Sequence, residues 1–163
     1  MINIYVDMDG VVADFDEWIR DYYPELENKP RFKKAVTEES VFENLGDQEG
    51  ASILMDAIEE LATAKDITVN FLTSVGTADP ELGTIVAAQK QKWLDDRKYL
   101  FKPLFVTEKK YKAKYAHSKA ILIDDRPGCV DPFRQAGGRA ILHKDPLITI
   151  EALKEHVDIM RTL

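Results

Sequence analysis

The sequence predicts a doubly wound α/β protein with a mainly parallel, five-stranded sheet. Two observations lead to this prediction: short apolar runs alternate with amphipathic segments, and the runs are almost continuously hydrophobic. Strands of a parallel sheet have this character because helices cover both of its faces. The chain has 163 residues, of which 45% are hydrophobic, and this is enough for one domain with a core.

The predicted strands are short and rich in β-branched or aromatic residues, which suit a buried, pleated surface. They are Asn3–Asp7, Ile67–Thr73, Leu104–Thr107, Ala120–Asp124 and Arg139–His143. Helical patterns lie between them, so the expected architecture is Rossmann-like.

Four segments are predicted to be helices, the first two because their apolar residues lie near one face at the 3.6-residue period. They are Glu49–Ala64, Glu81–Arg97, Val130–Ala136 and Thr149–Met160. Asp79-Pro80 precedes the second segment and predicts a helix N-cap followed by a first-turn proline. Gln89 interrupts the apolar stripe of that segment.

The interval Asp16–Gly46 is acidic and aromatic and contains no clear strand. We interpret it, together with the next helix, as a small helical cap over about residues 16–65. The chain is then one domain, 1–163, whose core comprises residues 1–15 and about 66–163. A cap inserted after the first strand can cover the carboxyl ends of the strands, where ligands bind in open α/β sheets.

Composition argues against several classes of partner. With 22 basic and 29 acidic residues, the chain cannot neutralise a run of phosphates, so extended nucleic acid is not expected as a partner. No apolar run approaches the ~20 residues of a membrane span, and Asp7 does not suit a secretory signal. The single cysteine, Cys129, excludes an internal disulfide. We therefore expect a cytoplasmic protein without a membrane partner.

Four polar clusters lie at or near the ends of predicted strands. Asp7 and Asp9 follow the first strand, where Gly10 permits a tight turn, and Thr73 and Ser74 end the second. Two carboxylates this close repel each other unless a cation lies between them, and Mg²⁺ prefers oxygen ligands. Hydroxyl and backbone N–H groups at a strand end can hold phosphate oxygens.

The third cluster is the lysine-rich stretch 109–114, and the fourth is Asp124-Asp125-Arg126-Pro127. A lysine beside a phosphate offsets its charge. Each cluster alone has an ordinary structural explanation, because Asp and Gly are common in turns and lysines often cover a solvated helix face. The order of the four clusters along the strands is what indicates a site.

In this order the clusters resemble the motifs of the haloacid dehalogenase-like superfamily. DMDGVVADF is similar to its first motif, FLTS to its second, a lysine before the fourth strand to its third, and ILIDDRP to its fourth. The forms DMDGVVADF and LIDDRP more specifically resemble the 5'(3')-deoxyribonucleotidase branch. The resemblance extends from Asp7 to Pro127.

The resemblance implies phosphoester hydrolysis through an aspartyl-phosphate. Asp7 would be the nucleophile, and Asp9 the general acid and then the base that activates water. Thr73 would bind the phosphoryl group. Phe15, Ser74 and Gly10 are the other expected substrate-binding residues, with Phe15 near a nucleobase. The aromatics Trp18, Tyr22 and Tyr23 could add to that pocket.

The resemblance also implies Mg²⁺ as the cofactor. The ion would be held by the Asp7 carboxylate, the Asp9 backbone carbonyl and the pair Asp124 and Asp125, either of which could bind directly while the other acts through water.

Several lysines of the stretch 109–114 could be the lysine of the third motif. We favour Lys114, because KYAHSKAILIDD resembles the branch's run from lysine to acidic pair, and Lys110 and Lys112 are the alternatives.

The expected partner is a small phosphorylated substrate, with a 5'- or 3'-(deoxy)ribonucleoside monophosphate as the first choice. A second subunit could complete the small cap in a homodimer. The alternatives are a phosphatase of another small metabolite and a catalytically silent binding module. A phospho-accepting receiver domain is disfavoured, because there the acidic pair comes early and the lysine last.

Overall fold

The computed structural model describes residues 1–16 and 29–163, and in this part of the chain seven strands are present. They are β1 (Ile2–Val6), β2 (Ala13–Asp14), β3 (Gly46–Asp47), β4 (Ile67–Ser74), β5 (Pro103–Val106), β6 (Ala120–Asp124) and β7 (Arg139–Leu142). The five long strands form one parallel sheet in the order β5-β4-β1-β6-β7. This confirms the predicted fold class. The first and last residues of each long strand lie within one residue of the predicted positions.

Helices flank the sheet and connect its strands. They are α1 (Lys29–Glu39), α2 (Ala51–Leu61), α3 (Pro80–Asp96), α4 (Pro127–Gln135) and α5 (Pro146–Arg161), with 3₁₀ turns at Val41–Glu43 and Lys109–Tyr115. The Asp79 carboxylate accepts a hydrogen bond from the Glu81 N–H, which confirms the predicted cap of α3. A second cap, Asp145, makes α5 begin three residues earlier than the apolar pattern indicates.

The sheet is buried on both faces, as the continuous apolar runs predicted. Ile4 and Val6 of β1 pack into one core cluster, whereas Tyr5 between them packs into the other. All five residues of β6 are buried. None of the described helices is both long and apolar enough to cross a membrane.

The central strand, β1, fixes the place of the site. It pairs with β4 on one side and with β6 on the other, so the strand order reverses there. Ligands bind at such a switch point, outside the carboxyl ends of the strands. The segments that follow β1, β4 and β6 therefore converge on one region.

The insertion after β1 is anchored by polar side chains of α3. The buried Gln89 amide donates to the Val36 carbonyl at 2.8 Å, and its oxygen accepts from the Phe42 N–H at 3.2 Å. The Trp93 ring N–H donates to the Leu45 carbonyl at 2.8 Å. Gln89 therefore interrupts the apolar stripe of α3 because it binds backbone of the insertion.

The described part of the insertion also contains features that the sequence pattern did not predict. The two-residue strands β2 and β3 pair antiparallel, and they lie just before residue 16 and at residues 46–47. The helix α2 packs against α5, whereas α1 packs against α3. Trp18, Tyr22 and Tyr23 lie outside the described residues, and the division into core and cap stays a prediction.

Candidate active site

Asp7 lies directly after β1 at the switch point. Its N–H donates to the Ile123 carbonyl at 2.9 Å, which continues the pairing of β1 with β6, and its carboxylate is buried. Burial raises the pKa of Asp7 to about 6, against the opposing effect of Lys112, and Asp124 raises it further. Burial also raises the pKa of the Cys129 thiol to about 12, so this thiol is a poor nucleophile beside Asp7.

Lys112 joins two carboxylates at the carboxyl ends of neighbouring strands. Its ammonium lies 2.8 Å from Asp7 Oδ1 and 2.8 Å from Asp124 Oδ2, and its side chain is buried. Burial alone would lower the pKa of Lys112, but the two carboxylates raise it above its ordinary value. Lys112 is therefore a permanent cation between the two strand ends.

This placement corrects the expectation for Lys114. Lys114 is exposed, and its ammonium lies 4.4 Å from the centre of the Tyr111 ring. Lys110, the other alternative, is paired with Glu108 at 3.3 Å. A 3₁₀ helix has three residues per turn, so residues 112 and 114 point in different directions and only Lys112 faces the carboxylates.

Three carboxylates form a group that suits a divalent cation. One oxygen each of Asp7, Asp124 and Asp125 lies within 4.8 Å of the others. Burial, followed by the charges of Asp7 and Asp124, raises the pKa of Asp125 to about 7. The buried Asp125 Oδ1 has no hydrogen-bond partner among the described residues. An oxygen-only donor set with excess negative charge fits Mg²⁺.

Gly10 is required by the position of Asp125. Its φ is +83°, a conformation that residues with a side chain rarely adopt. A Cβ at this position would collide with the Asp125 carboxylate. The structure therefore assigns Gly10 to close packing beneath the acidic group, whereas its expected contact with substrate stays a prediction.

Asp9 and Thr73 meet at a second buried lysine, which the sequence analysis missed. Lys90 of α3 donates to Asp9 Oδ2 at 3.1 Å, to Thr73 Oγ1 at 2.6 Å and to the Ser74 carbonyl at 2.9 Å. Its side chain is 1% exposed. A fully buried lysine is unusual unless it is paired, so the burial of Lys90 would have marked it as a candidate site residue. The apolar pattern of the sequence does not show that Lys90 is buried.

Asp7, Asp9, Thr73 and Lys112 line one pocket, which has a cavity volume of about 110 Å³. Its described lining is Asp7, Asp9, Phe15, Phe32, Phe42, Thr73, Ser74, Val75, Gly76, Lys109, Lys112, Arg126 and Cys129. The polar floor thus combines the expected Asp7, Asp9, Thr73 and Ser74 with Lys112.

Aromatic rings form one wall of this pocket. Phe15 stacks on Phe42, with ring centres 5.3 Å apart and an interplanar angle of 26°. Phe32 meets Phe42 edge to face at 6.2 Å. Lys109 and Arg126 line the same pocket. The structure therefore places Phe15 in the pocket together with two aromatic residues of the insertion.

Comparisons with known proteins identify the fold. No protein-family model matches the chain, and no curated protein matches it in sequence. A hydrolase from Streptococcus pneumoniae TIGR4 is similar in structure, with a TM-score of 0.51 and 16% identity over 93% of this chain and 97% of that one. The D,D-heptose 1,7-bisphosphate phosphatase from Burkholderia thailandensis has a TM-score of 0.51 and 14% identity over 93% and 85%.

Removal of one carboxylate should reveal the cation site. Since the pKa of Asp125 is raised to about 7 in the fold, the metal-free native protein binds more protons than the unfolded chain above about pH 4. Its stability should therefore fall as the pH rises from about 4 to 7. Asp125→Asn should reduce this fall, leaving the part that Asp7 contributes because its pKa is also raised, and should remove most of the rise in Tm caused by Mg²⁺. Thermal unfolding in EDTA and in Mg²⁺ measures both effects.

Asp131→Asn is the matched control, because Asp131 is exposed on α4 and outside the acidic group. It should keep the wild-type response to pH and to Mg²⁺. A full Mg²⁺ response in Asp125→Asn would remove Asp125 from the donor set.

Proposed function

We propose that this chain is a Mg²⁺-dependent phosphomonoester hydrolase that forms an aspartyl-phosphate on Asp7. The observation that carries the proposal is the buried Lys112 ammonium, 2.8 Å from both Asp7 and Asp124 at the floor of the pocket. Phosphoryl transfer requires this combination of a positioned nucleophile and concentrated positive charge. The similarity in fold to a hydrolase and to a phosphatase supports the same class of reaction.

In the first step, a carboxylate oxygen of Asp7 forms a bond to phosphorus while the bond from phosphorus to the ester oxygen breaks. Asp9 gives its proton to that leaving oxygen, which departs as an alcohol. In the second step, Asp9 takes a proton from water, whose oxygen attacks the same phosphorus. The Asp7–phosphorus bond breaks, and inorganic phosphate leaves.

Charge neutralisation decides whether these steps can occur. A phosphate dianion is repelled by the carboxylates of Asp7, Asp124 and Asp125, and Lys112 balances only part of this charge. The three carboxylates would hold Mg²⁺, which supplies Lewis-acid stabilisation of the phosphoryl oxygens. Thr73 lines the pocket beside Asp7 and can donate its hydroxyl proton to a phosphoryl oxygen.

The proposed substrate is a (deoxy)ribonucleoside 5'- or 3'-monophosphate. The stacked rings of Phe15 and Phe42 offer a flat apolar surface in the same pocket as the carboxylates. Such a surface suits the planar face of a base, and stacking contributes about 1–3 kcal/mol per base in single-stranded nucleic acid complexes. Lys109 and Arg126 add positive charge to the pocket lining.

A substrate panel tests the proposed reaction. The wild-type protein should release phosphate from nucleoside monophosphates in Mg²⁺, and EDTA should abolish the release. Asp7→Asn should lower kcat by at least about 10⁴-fold, since it removes the nucleophile at almost unchanged volume. Sugar phosphates in the same panel measure substrate choice.

Asp158→Asn, an exposed change on α5, is the matched control and should keep full activity. Substantial residual turnover by Asp7→Asn would exclude Asp7 as the nucleophile. Absence of release from every phosphate, with Mg²⁺ present, would favour a silent binding module over the hydrolase.

Loss of one aromatic ring tests the proposed substrate class. Phe15→Ala should raise KM for a nucleoside monophosphate by about tenfold, because stacking of about 1.4 kcal/mol is lost. KM for a small alkyl phosphate should change little. Steady-state kinetics on both substrates gives the comparison.

Phe101→Ala removes another partly buried ring, which packs on Phe71 and lies outside the pocket lining. This control should leave both KM values unchanged. An equal rise in KM for nucleotide and alkyl phosphate in Phe15→Ala would contradict base stacking.

A further inference from the structure

Lys90 has a bonding pattern that the proposed reaction does not yet use. Its ammonium has three protons, and three acceptors lie within 3.1 Å of it: Asp9 Oδ2, Thr73 Oγ1 and the Ser74 carbonyl. It also lies 4.9 Å from the centre of the Phe42 ring. The acceptors belong to the segment after β1 and to the end of β4, so one side chain joins the two parts of the site.

We propose that Lys90 is a positioning residue that sets the working orientation of both Asp9 and Thr73. This inference rests on the proposed hydrolase function, and Lys90 lies outside the four polar clusters of the sequence. In it, Lys90 does not touch the substrate. It fixes the orientation of the Asp9 carboxylate that exchanges the proton and the direction in which the Thr73 hydroxyl donates.

The argument for Asp9 concerns its two oxygens. Lys90 holds Oδ2, whereas Oδ1 is buried without a hydrogen-bond partner among the described residues. The Asp9 side chain is nevertheless 23% exposed and lines the pocket. With Oδ2 held by the ammonium and Oδ1 buried, the Asp9 carboxylate is fixed in one orientation at the pocket where it exchanges its proton.

The argument for Thr73 concerns its single proton. A lysine ammonium donates and cannot accept, so the 2.6 Å contact uses a lone pair of Thr73 Oγ1. The hydroxyl proton of Thr73 must therefore point away from Lys90. Thr73 is fully buried from solvent yet lines the pocket, where a phosphoryl oxygen is the acceptor that the proposed reaction supplies.

The surroundings hold Lys90 in this position. The preceding residue, Gln89, binds the Val36 carbonyl and the Phe42 N–H, so this turn of α3 is tied to the insertion. Two hydrogen bonds of Lys90 to β4 tie it to the sheet. Because these contacts already fix the Lys90 side chain, little further entropy is lost when it orients Asp9 and Thr73.

Dependence on the leaving group separates a positioning role from a structural one. An alkyl oxygen needs a proton in order to leave, whereas p-nitrophenolate leaves without one. Lys90→Met should therefore lower kcat for an alkyl phosphate by about 10²-fold, a typical contribution of general acid catalysis. The loss for p-nitrophenyl phosphate should be about tenfold smaller. In the Asp9→Asn background, Lys90→Met should cause only the smaller loss seen with p-nitrophenyl phosphate, which is the share that acts through Thr73, because residues that act as a unit are not additive.

Lys92→Met is the matched control: it removes an exposed lysine of the same helix that pairs with Asp96 at 2.7 Å, and it should change neither rate. Equal losses on both phosphates, or full additivity with Asp9→Asn, would overturn the positioning role. If Lys90→Met does not fold, as judged by circular dichroism, Lys90→Arg keeps the charge and shifts the donors, and it must show the same leaving-group bias. A wild-type protein that hydrolyses neither phosphate would refute the proposed function itself.

Discussion

Mutual repulsion of carboxylates at one edge of the sheet is the constraint on which the rest of the site depends. Asp7 and Asp124 end up adjacent because their strands, β1 and β6, are hydrogen-bonded neighbours. Lys112 contacts both of them at 2.8 Å, within a buried environment. Loss of one partner from a buried ion pair typically lowers the free energy of unfolding by about 3–5 kcal/mol. The two carboxylates are therefore stable in this position only because the Lys112 ammonium lies between them. Burial, followed by the charges of Asp7 and Asp124, raises the pKa of Asp125, and a cation bound by the three carboxylates would oppose this rise.

The helix α3 connects this charged edge to the insertion that surrounds the pocket. Gln89 and Trp93 lie on it one turn apart, and Arg97 follows its last residue. Gln89 donates to the Val36 carbonyl, and the other two donate to the Leu45 carbonyl. Lys90 lies between these anchors and reaches the opposite way, to Asp9 and Thr73. The same helix therefore positions the aromatic wall and supports the proposed acid, which explains why polar residues occupy its buried face.

Features that depend on residues close together in the sequence could be predicted, whereas features that depend on distant residues could not. The long strands could be predicted within one residue, because a doubly buried strand carries its signal in its own apolar residues. Convergence of Asp7, Thr73, Asp124 and Asp125 followed from parallel topology, since all lie at carboxyl ends. Lys112 could not be distinguished from Lys114, because the choice depends on side-chain direction in a 3₁₀ turn. Lys90 is 81 residues from Asp9, and β2 and β3 have two residues each, so neither has a local pattern.

The central claim is that Asp7 becomes covalently phosphorylated, and acid-quenched turnover tests it most directly. Wild-type protein would be mixed with a nucleoside monophosphate and Mg²⁺, quenched within milliseconds, reduced with borohydride and digested for mass spectrometry. Borohydride converts an aspartyl-phosphate to homoserine, so the account predicts homoserine at position 7 and none in protein quenched without substrate. Homoserine at another aspartate, or rapid phosphate release with an unmodified Asp7 at every quench time, would contradict it.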